Sequence, residues 1–256
     1  MYQLRSLLVF ITVSLFFFSC KKQSAEEESG TCAVLNNIKI AYNSPVTIGE
    51  TIKFGAPEIG GYRIYSWIGP NNFHDQYPHE EISYAELKNE GWYYLALSVS
   101  ECETKVDSVY IDVKLQQGTP ACTVANNTGN YSNLADDSYS SVSKGIDPSS
   151  GELALEGSGS YTNLTVLFHP EWRTKEPEDG IYTTINIPSF DPVDYNYNKV
   201  YISTVKQSIY WGSYPDQQVY VSHVAGKLQV RFCSLKLGGN NGYSYTTQVS
   251  ANLVEK

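Results

Sequence analysis

The first residue able to take part in covalent chemistry is a cysteine close to the N-terminus. Residues 7–18 form an apolar run that ends at Ser19-Cys20 and is followed by two lysines. As a helix the run measures about 18 Å, too short for the ~30 Å core of a bilayer, which indicates an export signal. A small residue, a cysteine and then a polar stretch is the pattern that a lipoprotein signal peptidase needs. We therefore expect residues 1–19 to be removed and Cys20 to carry a lipid; the alternative is an ordinary secretory signal with an incidental cysteine.

The chain has five cysteines, so the four after Cys20 can form two disulfides in an oxidising compartment. Three connectivities are possible. We favour Cys32–Cys102 and Cys122–Cys233, because each pair would lie inside one predicted domain. Zinc is the rival ligand for these thiols, but the chain has no C-x-x-C and the spacings are wide.

Histidines and carboxylates give no pattern that we interpret as catalytic. The four histidines form neither H-x-x-x-H nor H-E-x-x-H, and no G-x-S-x-G occurs. His74-Asp75 and His79-Glu80-Glu81 share one loop, where a metal is conceivable and a solvated polar loop is favoured. Paired carboxylates that a glycosidase or a calcium ion would use occur at Asp136-Asp137, Asp191/Asp194 and Glu176/Glu178. The sequence predicts no enzyme, no cofactor and no metal.

Aromatic residues are the most suggestive group. The chain has 21 tyrosines, many of them in its last third. Flat rings on a β-sheet surface stack on sugar rings, whereas a plain packing role is the alternative, since tyrosine also suits strands. If these rings bind a glycan, they must share one exposed face. The candidate glycan-binding residues are Trp172, Tyr195, Tyr197, Tyr210, Trp211 and Tyr214.

The charge balance bears on the partner. The chain carries a formal net charge of −9, and loss of the signal with its single Arg5 makes the remainder more acidic. Nucleic-acid binding needs a basic surface to neutralise phosphates. The composition therefore argues against a nucleic-acid partner.

Two β domains follow a polar tether at residues 20–31. Residues 32–116 contain short strands separated by turn signals, typical of a sandwich. By the two-residue period of a strand, Tyr93, Leu95, Leu97 and Val99 share the inward face, and a partner strand offers Val109, Ile111 and Val113.

Residues 117–256 follow the Gln116-Gln117-Gly118 break and contain about eight strand candidates. Ala225-Gly226 predicts a hairpin turn between two alternating segments. The predicted fold class is all-β: an N-terminal Ig-like β-sandwich followed by a second antiparallel β-sandwich or flattened barrel.

A run of motifs in the first domain resembles a known family. Tyr65-Ser66-Trp67-Ile68-Gly69-Pro70, then Gly91-x-Tyr93, then Ser100-Glu101-Cys102, are similar to the PKD/Ig-like modules of Bacteroidota surface lipoproteins. The resemblance implies that Trp67 packs across the sandwich. It also implies that Tyr93 is a corner tyrosine whose hydroxyl bonds to backbone. Residues 117–256 resemble uncharacterised C-terminal β domains of small lipoproteins of that lineage.

The same lineage gives meaning to two further segments. Glu26-Glu27-Glu28 in the tether is similar to the acidic signal that sends lipoproteins to the cell surface. Asp107-Ser108-Val109 fits the acceptor pattern that the lineage O-glycosylates, which makes Ser108 a candidate site. The resemblance implies an outer-membrane lipoprotein, lipid-anchored and facing outward, with a periplasmic orientation as the alternative.

Together these observations predict a non-catalytic cell-envelope lipoprotein that binds a protein or a glycan or serves a structural role. Its membrane contact would be the N-terminal lipid. The alternative is a carbohydrate-binding accessory lipoprotein of a glycan-uptake system.

Overall fold

The chain folds as an all-β protein. The computed structural model describes residues 32–61, 63–160, 162–186, 197–240 and 244–256. Three short 3-10 helices, at Val34–Asn37, Leu87–Asn89 and Pro170–Arg173, accompany the strands. No helix within the described part of the chain is long and apolar enough to cross a membrane. The predicted signal, Cys20 and the tether lie outside the described residues.

Nine short strands occupy the residues before the Gln116-Gln117-Gly118 break. They are β1 (Ala41–Tyr42), β2 (Val46–Thr47), β3 (Ile52–Gly55), β4 (Arg63–Gly69), β5 (Phe73–Asp75), β6 (His79–Ile82), β7 (Gly91–Val99), β8 (Lys105–Ile111) and β9 (Val113–Lys114). One sheet has the order β1-β3-β6 and another β5-β4-β7-β8, and β2 runs parallel to β9. These are the A-B-E and C′-C-F-G pairings of an immunoglobulin sandwich. The predicted Ig-like fold is confirmed.

The core of this sandwich is aromatic, as the resemblance implied. Trp67 of β4 is buried, and its ring centroid lies 5.0 Å from that of Phe54 on the opposite sheet. Tyr93 is buried as well, and its hydroxyl donates to the carbonyl of Asn89 at 2.9 Å. Burial also raises the pKa of Tyr93 to about 12, which keeps the hydroxyl protonated. Both predicted roles, the cross-sheet tryptophan and the corner tyrosine, are confirmed.

Among the residues described after the break, eleven strands form one sheet. They are β10 (Thr128–Tyr131), β11 (Asp137–Ser138), β12 (Ser141–Ile146), β13 (Leu153–Ser158), β14 (Asn163–Phe168), β15 (Gly180–Thr184), β16 (Lys199–Lys206), β17 (Ile209–Ser213), β18 (Gln218–Val224), β19 (Lys227–Asn240) and β20 (Ser244–Val254). The pairing follows the order β11-β10-β20-β19-β18-β15-β16-β14-β13-β12. β17 pairs with both β16 and β19, which closes β15 to β19 into a ring. Of the two predicted forms, an antiparallel β-sandwich or a flattened barrel, the barrel-like form is the one observed, although β15 and β16 are parallel rather than antiparallel.

Both favoured disulfides are present. Cys32 bonds to Cys102 in the first unit, and Cys122 bonds to Cys233 in the second. Cys233 lies where the pairing of β19 with β20 shifts between Phe232 and Leu235, and a bulge of this kind bends the strand. Disulfides persist in oxidising compartments, so these two are those of an extracellular or surface protein.

The hairpin between β18 and β19 turns where the sequence predicted. Ala225 has φ 52° and Gly226 has φ 77°, so both central residues are left-handed. That conformation matches the twist of the flanking strands in a two-residue hairpin. The predicted Ala225-Gly226 turn is confirmed.

The two halves are in direct contact. The Ile181 N–H donates to the carbonyl of Gln116 at 2.8 Å, and the Gln117 amide donates to the carbonyl of Asp179 at 2.9 Å. A Cβ on Gly180 would lie 2.4 Å from the Cβ of the buried Leu115, so only glycine allows this approach. The segment that joins the halves therefore pairs with the start of β15.

Candidate functional site

The predicted glycan-binding residues do not form one exposed face. Trp172 and Trp211 are each only 2% exposed, and their indole N–H groups donate to the carbonyls of Tyr197 and Lys206. A ring enclosed in this way has no face free for a sugar. The prediction that these two tryptophans help to form a sugar-stacking surface is wrong.

Each tryptophan is buried for a local reason. Trp211 points into the ring of strands, where a Cβ on Gly239 of β19 would come within 2.8 Å of its six-membered ring. Glycine on that strand makes room for the indole. Trp172 lies on the 3-10 helix Pro170–Arg173, whose first turn is capped by the His169 ring nitrogen. This helix places the indole 6.3 Å from the buried Tyr182 ring.

The tyrosines of the prediction have mixed positions. Tyr210 and Tyr214 are exposed, and the Lys236 ammonium lies 4.8 Å from the centre of the Tyr214 ring. Tyr197 is partly buried, with its ring 5.2 Å from that of His169. Tyr195 lies outside the described residues. Tyr210 is thus the predicted residue whose ring remains both exposed and beside a groove.

Three of the carboxylates weighed as catalytic or metal-binding groups, Asp136, Asp137 and Glu176, have structural partners. Asp137 accepts from Lys206 at 2.6 Å, and Asp136 accepts from the backbone N–H of Tyr131. Lys144 bonds to Glu176 and lowers the pKa of that carboxyl, whereas burial raises the pKa of Glu178. Within the described ranges, no group of three or more His, Cys, Asp and Glu side chains could hold a metal ion. Asp191 and Asp194 lie outside the described residues.

His74-Asp75 lies on β5 and His79-Glu80-Glu81 lies on β6, so the expectation of a polar loop for these residues is wrong. One carboxyl among them, that of Glu80, has an unusual environment. Burial, followed by a hydrogen bond and the charge of Asp75, raises the pKa of Glu80 from 4.5 to about 7. Its Oε1 atom is buried without a hydrogen-bond partner. His79 lies 3.7 Å from Glu58 instead, on the opposite face of β6 by strand alternation. His79 and Glu80 therefore point to opposite sides of β6 and do not share a ligand.

A continuous exposed apolar surface lies on the first unit, on the outward side of β4, β7 and β8. We call it the aromatic face, and it consists of Ile64, Ser66, Ile68, Trp92, Tyr94, Ala96, Ser98, Val106, Ser108 and Tyr110. Its six large side chains are all exposed, with Trp92 at 51% and Val106 at 67%. Apolar surface of this extent marks an interaction site more often than a bare exterior.

The strand register holds the aromatic face together. Trp92 pairs with Tyr110 across β7 and β8, and their ring centroids are 5.5 Å apart. Tyr94 pairs with Ile68 on one side and with Ser108 on the other. The Tyr110 hydroxyl donates to Glu90 at 2.9 Å, which fixes that ring. The face is thus a pre-ordered surface on paired strands rather than on a loop.

The sequence contained a signal for this surface that the predictions did not use. Because Tyr93, Leu95, Leu97 and Val99 point inward and are all buried, the residues between them must point outward. The density of tyrosines indicated a binding surface in the second half of the chain instead. Strand alternation around Trp92 would have identified the exposed rings.

The O-glycosylation candidate Ser108 belongs to the same surface. It lies on β8 opposite Tyr94, and its backbone N–H donates to Asp107. Asp107 also accepts from the N–H of Ile40 at 3.3 Å, so this carboxylate links β8 to the start of β1. A glycan on Ser108 would lie over the aromatic face.

Comparison with known proteins says little about the fold beyond what the strand pairing already shows. No family model and no curated protein matches the chain. Murine CEACAM1b is among the solved structures that are similar, with 11% identity over 86% of this chain and 99% of that chain, at a TM-score of 0.28. Another is Sidekick-1 immunoglobulin domains 1–5, with 8% identity over 86% of this chain and 59% of that chain, at a TM-score of 0.24. The assignment as an all-β protein with an Ig-like sandwich rests on its own sheet topology.

Proposed function

We propose that the protein is a non-catalytic cell-envelope lipoprotein that binds a protein partner through the aromatic face. The observation that carries the proposal is that this face has no charged side chain at any of its ten positions. In a chain with 18% charged residues and a net charge of −9, a run of ten neighbouring outward positions without charge is unusual.

The composition of the face suits a protein surface. The central part of protein interfaces is poor in charged residues and rich in Trp and Tyr, which also supply most of the binding energy. Trp92, Tyr94 and Tyr110 provide large rings with few rotamers to immobilise. The polar groups beside them are three serine hydroxyls and two tyrosine hydroxyls, of which that of Tyr110 already donates to Glu90. A sugar with many hydroxyls would find few partners here.

The anchor and location belong to the same proposal. Lipidation of Cys20 and the tether at residues 20–31 would hold the sandwich close to the outer membrane, and an outward orientation would present the face to other surface proteins. The two disulfides support export. The resemblance to Bacteroidota lipoproteins supports the lipid anchor.

The test uses a photo-crosslinking amino acid placed at Val106 in the protein in its own cells. We expect one discrete adduct, lost when Trp92→Ala and Tyr94→Ala are added. The matched control is the same amino acid at Val224, which is also an exposed valine, at 51%, but lies on the β18–β19 hairpin. Absence of an adduct at Val106, or equal adducts at both positions, would refute the proposal.

A glycan on Ser108 is a competing use of the face. Intact-mass measurement of the protein from its own cells distinguishes the two. An unmodified chain leaves the face free for a protein, whereas a hexose-containing adduct removed by Ser108→Ala shows that the face is covered by the protein's own glycan.

The alternative function, a carbohydrate-binding accessory lipoprotein, needs a different site. The platform that was predicted for it is lost with the burial of Trp172 and Trp211. What still favours it is a polar groove beside Tyr210.

A further inference from the structure

A groove lies on the outward side of the second sheet, on the opposite half of the molecule from the aromatic face. Its volume is about 480 Å³, within the range of about 300–1,000 Å³ usual for small-ligand sites. The residues that line it include Asp147, Asn163, Thr165, Ser203, Val205 and Tyr210. We call it the Tyr210 groove, and the proposed function does not use it.

Two rows of paired residues build the floor. Thr165 of β14 pairs with Ser203 of β16, and Asn163 pairs with Val205. Val205 in turn pairs with Tyr210 of β17. Directly opposed residues of antiparallel strands point to the same side, so these side chains share the groove. The turn that follows β12, with Asp147, forms a wall.

The polar groups of the groove are arranged for hydroxyls. The Asn163 side-chain nitrogen donates to Glu156 at 2.8 Å, and the Asn163 carbonyl oxygen can accept a hydrogen bond in the groove. Thr165 and Ser203 add hydroxyls that both donate and accept. Such neighbouring donors and acceptors match the vicinal hydroxyls of a sugar ring.

Tyr210 supplies the apolar side. Its ring is 49% exposed, and its hydroxyl donates to Tyr201 at 3.2 Å, which holds the ring in place. Gly212 permits this pair, because a Cβ there would lie 2.2 Å from the Tyr201 hydroxyl oxygen. Burial, followed by the hydrogen bond from Tyr210, raises the pKa of Tyr201 well above its ordinary value, so its hydroxyl stays neutral.

The charges exclude other ligand classes. Among the described residues that line the groove there is no lysine or arginine, and Asp147 and nearby Glu156 are acidic. The Ser150 and Ser149 N–H groups hold the pKa of Asp147 below its ordinary value, so it repels an anion. We infer that the Tyr210 groove binds a neutral saccharide, stacked on Tyr210 and hydrogen-bonded by Asn163, Thr165 and Ser203.

The experiment presents the full chain, purified from its own cells, to an array of neutral and acidic oligosaccharides, followed by calorimetry with each oligosaccharide that binds. We expect at least one neutral oligosaccharide to bind and the acidic ones to fail. Tyr210→Ala should weaken binding by about tenfold or more, since that is the loss of roughly 1.4 kcal/mol of stacking. Asn163→Ala, at an exposed side chain, provides a second test.

Tyr245→Ala is the matched control, because Tyr245 is exposed in the same sheet and lies outside the groove. The affinity of this variant for the oligosaccharide should stay within about twofold of that of the unmodified chain, as expected for a residue without ligand contact. The inference would be overturned if no neutral oligosaccharide binds, or if binding survives both Tyr210→Ala and Asn163→Ala. Crosslinking at Val106 is independent of either result, so the proposed function can fail or stand separately.

Discussion

Trp92 and Trp211 show how differently two regions of this protein use the same residue. On β7, Trp92 points outward among Tyr94 and Tyr110 and is half exposed. On β17, Trp211 points into the ring of strands, where glycine on β19 makes room for it. Both strands are rich in aromatics, so composition cannot distinguish them. The side of the strand on which a ring lies decides whether it stabilises the fold or is available to a partner.

The tryptophans themselves give the largest expected contrast. Trp211→Ala should lower the free energy of unfolding by about 3–5 kcal/mol, because it leaves a cavity in the core. Trp92→Ala should change it by less than about 1 kcal/mol, since the ring is half in water. Urea unfolding followed by circular dichroism measures both, and equal losses would contradict the assignment of the two sides.

Two lysines allow the same comparison between a buried and an exposed charged side chain. Lys206 is 4% exposed, pairs with Asp137 at 2.6 Å and lies 4.1 Å from the centre of the Tyr131 ring. Lys206→Met should cost about 3 kcal/mol, because it leaves Asp137 without its counter-charge. Lys53→Met removes only a surface pair with Glu81 and should cost less than about 1 kcal/mol. If the denaturant midpoints of the two variants coincide, the Lys206–Asp137 pair is not structural.

Neighbouring tyrosines on β7 allow the most sensitive comparison of the two sides. Tyr93→Phe deletes the hydroxyl that bonds to Asn89, and should cost about 1–2 kcal/mol because a buried carbonyl loses its donor. Tyr94→Phe should be within about 0.5 kcal/mol of the unmodified chain, as is usual for surface changes. Thermal unfolding of the two variants measures this, and a larger loss for Tyr94→Phe would reverse the inward and outward assignment of β7.

Two glutamates on β6 should give the smallest effect, through pH. The folded-state pKa of Glu80 is raised to about 7, so folding favours its protonated form. Its contribution to stability is fully present below about pH 4.5 and is lost as the pH rises through 7. Glu80→Gln should therefore increase the free energy of unfolding more at pH 8 than at pH 5. The difference between the two pH values should be about 1 kcal/mol after allowing for solvent screening. Glu81→Gln should show no such pH dependence. If the stability of both variants changes with pH in the same way, the pKa of Glu80 is not raised in the folded protein.

Local patterns predicted much of the fold. The alternation at Tyr93, Leu95, Leu97 and Val99 correctly gave the buried side of β7, and Ala225-Gly226 correctly gave the turn between β18 and β19. The disulfides followed from the division of the cysteines between two domains. These features depend on residues close in sequence or on a simple count.

Features that depend on distant pairing were not predicted. The short strands β5 and β6 have too few residues for a two-residue period to show. The burial of Trp211 depends on Gly239, which meets it only because β17 pairs with β19. The Tyr210 groove likewise requires the register of three strands. Closure of a sheet into a ring is not visible in any single segment.

The Cys32–Cys102 disulfide has a consequence for how the molecule would carry tension. β1 is a two-residue strand at the edge of its sheet, and a pull from the chain before Cys32 would otherwise peel it from β3 one pair at a time. The covalent bond passes the force directly to Cys102, between β7 and β8, so the covalent path of the load bypasses the backbone of residues 33–101. Two of the three strands that form the aromatic face would therefore keep their shape while the protein is stretched.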